Sequence, residues 1–350
     1  MKAKKFLSIL LAVATVLTMT ACGGKQEAAE APAADTPAVE SEEVAEEVNV
    51  IEFALSNCAA DGTPLDAGCK KWAELLNATG MFNVTVYNNN QLGTVVDVLD
   101  RLIDGDMLAE AVSASDIADP LNIPDLKATM APFVFTSIED INTLTNSDWF
   151  KGLADQAEAQ GVKIVAANLI NGERYFITKK PVVTAADMKG MKIRVPANTN
   201  YINTFDAFGC APTPMAVTEI YTSLQQGVVD GLEHPLPDCL KNGYHEIATN
   251  IANQDYLKEM NMLAVSTTVW NACSDAQKEA LVECAFEATA YEQEYYKAAK
   301  EEALTALKEA GVNFYDIDVD SYVEAAEKYW EISTEFTPGL RDTINEILGK

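Results

Sequence analysis

From residue 49 onward the apolar positions switch repeatedly between the period of a strand and that of a helix. NVIEFALS (49–56) reads as a strand, Pro64 to Ala78 as an amphipathic helix, and FNVTVY (82–87) as a strand again. Thr94 to Ile103 is a helical pattern with its apolar positions on one side. LAEAVSAS, VKIVAAN, NGERYFIT, MKIRV, GVVDGLE and MNMLAVST follow as further strands, with helical segments between most of them. Between NGERYFIT and MKIRV, Thr184 and Asp187 fit a capping box for a short helix that Gly190 closes. Asp275 to Ala310 is one long helical run near the end and Ser321 to Leu348 is another. Short strands separated by helices predict an α/β fold with layered, largely parallel sheets.

The N-terminal region carries a different signal. MKAKKFLSILLAVATVLTMTA (1–21) reads as an export signal, with Lys2, Lys4 and Lys5 ahead of an apolar core too short for a membrane span. Thr20 and Ala21 lead into Cys22-Gly23-Gly24, which resembles a bacterial lipoprotein box and predicts lipidation of Cys22. Residues 22–47 are mostly Ala, Glu and Pro and cannot bury enough surface to offset their ordering entropy. They predict a disordered acidic tether that holds the exported body at the outer face of the cytoplasmic membrane or in the periplasm.

Charge narrows the classes of partner. The chain has 25 basic and 53 acidic residues, and loss of the three signal lysines deepens the imbalance. Nucleic-acid binding needs a basic footprint, so it is excluded as a function. Any bound anion needs its own local cations. Six cysteines remain besides Cys22 and show no CxxC spacing, so small buried residues are the default reading. The chain lacks a G-x-S-x-G elbow, a P-loop, a G-x-G-x-x-G fingerprint and a histidine cluster suited to zinc. Neither an enzyme, a cofactor nor a metal is expected.

Only four of the basic residues are arginines: Arg101, Arg174, Arg194 and Arg341. Where lysine is the usual cation, an arginine points to a task for a planar fork of donors. Pro196 ends the strand MKIRV and leaves Arg194 at its carboxyl end, where open α/β sheets hold their ligands. Arg174 stands near the start of NGERYFIT, one short helix upstream. The pair predicts a carboxylate-binding site; the plain alternative for Lys192 and Arg194 is a solvated basic edge.

KGMKIRVPAN, followed by FDAFGCAPTPMAVTEIYTSLQQGVVDGLEHP, resembles the DctP-like solute-binding proteins of tripartite ATP-independent periplasmic (TRAP) transporters. FALSN, NNNQLG, APFVFTSIED, NGERYFITKKPVVTAADMKG and MLAVSTTVWNACS extend the resemblance over roughly residues 49–345. It implies a two-lobed, type II periplasmic-binding-protein-like fold with hinge-crossing segments and a long lobe-spanning helix. One lobe would comprise 48–171 with 261–299, the other 172–260 with 300–350. It also implies capture of a small organic acid between closing lobes and delivery to membrane permease subunits. Arg194 matches the family's carboxylate clamp and Arg174 its upstream G-x-R arginine.

Departures from the family pattern bear on specificity. Ala197 stands where sialic-acid-binding members carry an asparagine, with Asn198 beside it; Val217 replaces an aromatic residue; and His234 replaces the asparagine of an E-N-P motif. These changes argue against a bulky sialic acid and toward a small di- or hydroxy-carboxylate. His234, with an ordinary pKa near 6.5, would strengthen binding in mild acid. Ser56 and Asn57 after the first strand, and Ser113 and Ser115 after the third, are candidate polar contacts. Trp270 is a candidate wall. The rival readings are a receptor for another importer or a sensor, and, further off, an adhesin or an enzyme acting through Glu233 and His234.

Overall fold

The computed structural model describes residues 49–350. The export signal, the tether and Cys22 lie outside the described residues. The strands are β1 (Ile51–Ser56), β2 (Phe82–Tyr87), β3 (Leu108–Ser113), β4 (Val162–Thr178), β5 (Lys192–Val195), β6 (Ala211–Pro214), β7 (Gly231–His234), β8 (Asn250–Ala252), β9 (Leu257–Ser266) and β10 (Asn313–Tyr315). They form one sheet in the order β2-β1-β3-β9-β4-β7-β5-β6, with β8 and β10 attached beside β4.

Two groups of parallel strands share a central antiparallel ladder. β1 runs parallel to β2 and β3, and β5 runs parallel to β6 and β7. β4 and β9 pair antiparallel from Val162–Ser266 to Arg174–Leu257 and carry the chain from one group to the other. VKIVAAN and NGERYFIT are therefore one 17-residue strand rather than two. Register shifts break its ladder between Ile164 and Ala166, between Ala166 and Leu169, and between Ile170 and Gly172. Such bulges bend and twist a strand without ending it.

Helices cover the sheet as the patterns predict. Pro64–Ala78 starts with proline at its first turn and buries Leu65, Cys69, Trp72, Ala73 and Leu76. Thr94 caps Val95–Ile103 through a capping box with Asp97. The expected short helix is a 3₁₀ turn, Ala185–Met188, with Thr184 N–H donating to Asp187 at 2.8 Å and Gly190 at φ 73° closing it. Asp275–Glu309 is a continuous 35-residue helix, about 52 Å long at the usual rise. Its Leu281, Ala285 and Ala288 enter the core under β1–β3, while Ala303 and Leu307 enter the one beside β7.

Three readings of the pattern shift. Of GVVDGLE, the strand keeps only its end, because Gly227 at φ 72° makes a turn. The run from Ser321 to Leu348 is two helices, Val319–Ile332 and Leu340–Leu348, separated where Pro338 and Gly339 interrupt the pattern. The last of these packs on helices Ile138–Thr145 and Asp125–Ala128, in the N-terminal half, although the sequence reading assigns 300–350 wholly to the second lobe. Among the described residues no helix is long and apolar enough to cross a membrane, and all six cysteines are free thiols.

Candidate functional site

The parallel strands of both groups end around one cavity of about 330 Å³. Cys58 and Ala59 follow β1, Asn89 and Asn90 follow β2, and Asp116 follows β3. From the other group come Arg194, Pro196 and Ala197 at the end of β5, Met215 and Val217 after β6, and His234 and Asp238 at the end of β7. Asn171, Arg174 and Glu259 reach it from the crossing strands β4 and β9. Ligand sites beyond the carboxyl ends of strands are the rule for open α/β sheets.

The two arginines share the cavity and are in opposite circumstances. Arg174 is buried and packed with acids. Its Nε and Nη2 fork onto the Glu233 carboxylate (Nη2 to Oε1 2.8 Å), while Nη1 donates to Glu259. Glu259 also accepts from Asn171 Nδ2 at 2.7 Å, and Glu233 from Tyr256 Oη at 2.9 Å. Burial opposes the charge on Arg174, but Glu233 and Glu259 hold it firmly protonated. Arg194 is 4 % exposed, which rules out the solvated basic edge. Its Nε and Nη2 donate to the Met215 carbonyl at 3.2 and 2.8 Å, and it pairs with no carboxylate among the described residues. Burial and the charge of Arg174 push its pKa down, with Glu233 opposing, yet a guanidinium stays charged.

His234 lines the same cavity and is buried, with its Nδ1 lacking a hydrogen bond. Burial, Arg174 and Arg194 hold its pKa well below the ordinary histidine value. The two arginines thus oppose a further positive charge on this ring in the ligand-free receptor. Val217 also lines the cavity, half-buried.

The remaining candidates stand elsewhere. Ser113 caps the turn after β3, accepting from Asp116 N–H at 3.1 Å, with Ser115 Oγ 3.0 Å away. Asn57 is buried and its Oδ1 accepts from Ala59 N–H, while Ser56 faces Glu110 across the β1–β3 ladder. Asn198 caps helix Thr199–Ala207 and donates to Asp116 Oδ1 at 2.6 Å, linking the two strand groups behind the cavity wall. Trp270 packs against the core under β1–β3 with Lys163 Nζ 4.8 Å above its ring, away from the cavity. The serine hydroxyls and the Asn198 amide serve local structure, the commoner role for such residues at strand and helix ends, whereas Asn57 Nδ2 is buried without a partner.

Sequence reasoning passes over Asp116, Asn171, Asp238 and Glu259. Asp238 sits four residues beyond His234, in the first turn of helix Leu236–Lys241 that starts at Pro235. That position beyond a strand's carboxyl end is a usable signal. Nothing in the pattern marks Glu259, because its partner Arg174 lies 85 residues away along the chain.

A cavity between two strand groups joined by long crossing strands, with one unpaired guanidinium in its wall, defines a two-lobed α/β solute-binding protein. The profile of the family described as DctP, bacterial extracellular solute-binding protein family 7, matches residues 55–336. The C4-dicarboxylate-binding periplasmic protein DctP of Rhodobacter capsulatus is 28% identical over 305 residues, 86% of this chain and 87% of that protein. A TRAP periplasmic solute-binding protein from Ochrobacterium anthropi, solved with bound L-fuconate, superposes with TM-score 0.81 at 30% identity. That match covers 86% of this chain and 99% of the other. One from Actinobacillus succinogenes 130z, with bound L-galactonate, gives TM-score 0.80 at 29% identity over 85% and 99% of the two chains. The chain belongs to the DctP family of solute-binding proteins, which serve TRAP transporters.

Proposed function

We propose that this receptor captures a small organic acid by its carboxylate on Arg194 and hands it to the TRAP permease, which moves it with an ion gradient. The observation that carries this is the contrast between the arginines. Arg174 is matched by Glu233 and Glu259, whereas Arg194 faces the cavity with a backbone carbonyl as its acceptor. A ligand carboxylate supplies the missing anion and takes the donors the carbonyl leaves. His234 and Val217 border the bound acid, the ring as a neutral hydrogen-bonding group and the valine as an apolar wall.

The lobes are 48–171 with 261–299 and 172–260 with most of 300–350. The bulged ladder of β4 and β9 supports a hinge at their junction. Closure brings the β1–β3 strand ends down on an acid held by the β5–β7 side. Lipidation of Cys22 would keep the receptor at the membrane that holds the permease. The work is capture and release, with no bond made or broken.

Thermal unfolding against a library of organic acids tests the reading. A true ligand at a hundredfold excess over Kd adds about 2.7 kcal/mol of stability. Failure of every acid to raise the melting temperature sinks it. Mass spectrometry of the membrane-associated form, beside a Cys22→Ala variant, tests the anchor separately.

A further inference from the structure

We propose that Asp238 sets the ligand class: the site accepts a monocarboxylic acid whose remaining polar groups are hydrogen-bond donors, hydroxyl or ammonium, and rejects a second carboxylate. The inference rests on the Arg194 reading and narrows it.

Asp238 is 3 % exposed and lines the cavity, and its Oδ2 accepts no hydrogen bond. A buried carboxylate oxygen left bare is costly, so it marks a place where a donor is missing. Two further acids of the wall, Asp116 and Glu259, already accept hydrogen bonds. Asp116 accepts from Asn198 on Oδ1 at 2.6 Å and from Ser113 on Oδ2 at 2.8 Å. Glu259 accepts from Arg174 and Asn171. Both bonds to Glu259 fall on Oε2, and of these three acids Asp238 is the one whose bare oxygen is itself buried.

The cations lead to the same conclusion from the other side. Among the described residues the wall holds two, Arg174 and Arg194, and Arg174 is committed to Glu233 and Glu259. One ligand carboxylate therefore uses the available charge. A second would find no unpaired cation and would face Asp116, Asp238 and Glu259, an arrangement that rejects by like-charge repulsion. Burial pushes the Asp238 carboxyl up to about 7, with Arg174 opposing and Glu259 adding to the rise. A ligand hydroxyl can meet it in either state, and an ammonium holds it ionised. Asn89, Asn90, Asn171 and Asn242 around the cavity add amide partners suited to a polyhydroxylated or amino-bearing chain.

Two matched pairs test the rule by calorimetry at pH 8 on the full chain. Galactonate against galactarate varies only the far end of a polyhydroxy acid. 4-Aminobutyrate against succinate exchanges an ammonium for a carboxylate, so the pairs separate the two donor chemistries. The expected result is at least tenfold tighter binding of the monoacid in every pair of which a member binds. Asp238→Asn should cut that preference at least tenfold, chiefly by admitting the diacid, and should not lower the melting temperature of the free receptor. A diacid that binds as tightly as its partner overturns the rule while leaving the Arg194 reading intact, as does an Asp238→Asn variant of unchanged selectivity. Should none of the four bind, the tightest acid of the wider library decides: a diacid or a keto acid overturns the rule, and a hydroxy or amino monoacid supports it. Should no acid at all bind, the Arg194 reading falls and takes this one with it. If Asp238→Asn fails to fold, the wild-type pairs still decide the rule.

Discussion

Arg194 lends two guanidinium hydrogens to a single backbone oxygen, the Met215 carbonyl, at 3.2 Å from Nε and 2.8 Å from Nη2. That arrangement keeps the fork oriented while leaving it without a carboxylate in direct contact among the described residues. Arg194→Ala should therefore weaken binding of the ligand by about 2–5 kcal/mol, or roughly 30- to 5000-fold. Calorimetry showing less than a threefold change would remove Arg194 from the site. Arg194→Lys should also lose much of the affinity, since an ammonium offers no planar fork. Equal affinity in that variant would show that charge alone suffices.

Arg174 should behave in the opposite way. Removing it leaves Glu233 and Glu259 buried and uncompensated, which costs about 3–5 kcal/mol. Arg174→Met should lower the urea midpoint of the unliganded receptor, whereas Arg194→Ala should leave it nearly unchanged. Arg174→Met with Glu233→Gln should recover part of the loss, since the two residues share one network. Equal destabilisation by Arg174→Met and Arg194→Ala would refute the division of labour between them.

This division is out of reach of the sequence. Periodicity places β5 and Arg194 at its carboxyl end, because Pro196 stops the strand locally. It also finds Pro64–Ala78 and Asp275–Glu309 to within a residue, because their caps and apolar stripes are local signals. What decides whether an arginine is free is the acid it meets, and Arg174 meets Glu233 and Glu259 through strand pairings 59 and 85 residues apart. The serines after β3 mislead for a related reason: a strand end that faces a cleft also starts a turn, and Ser113 is used by the turn. The family resemblance supplies the architecture, and the departures from it draw attention to His234 but not to Asp238.

Glu292 makes a prediction about pH and stability. It sits on the long helix with Oε2 accepting from Ile170 N–H at 3.0 Å and Oε1 without a partner, and burial pushes its pKa up to about 8. The folded receptor therefore keeps a proton there that the unfolded chain releases near the ordinary glutamate value. Its contribution is fully present below that value and is lost as pH rises through about 8. The slope between those limits is about 1.4 kcal/mol per pH unit for one proton. Glu292→Gln retains an acceptor for Ile170 and removes the proton, so the stability difference between variant and wild type should shift in the variant's favour from pH 5 to pH 8. Parallel urea-derived stabilities across that range would show that Glu292 titrates normally.

Gly172 couples the crossing ladder to the site, and the coupling can be read by substitution. Its φ is 137°, and a Cβ there would lie 2.9 Å from Tyr296 Cε2 and 3.0 Å from Pro235 Cβ. Tyr296 belongs to the long helix and accepts the Glu173 N–H at 3.0 Å, while Pro235 follows His234 directly. An alanine must therefore move β4 where Asn171 and Arg174 project toward the cavity, or move the turn that carries His234 and Asp238. Gly172→Ala should cost more than about 1 kcal/mol of stability and also weaken ligand binding. Gly190→Ala is the matched control. Its φ is 73° with nothing within 4 Å of the added carbon, so it carries backbone strain of about 1–2 kcal/mol ahead of β5, outside the cavity lining. It should lower the melting temperature and leave affinity alone. If both variants bind the acid as tightly as the wild type, the bulge at Gly172 serves the fold only, and the position of the cavity's side chains does not depend on it.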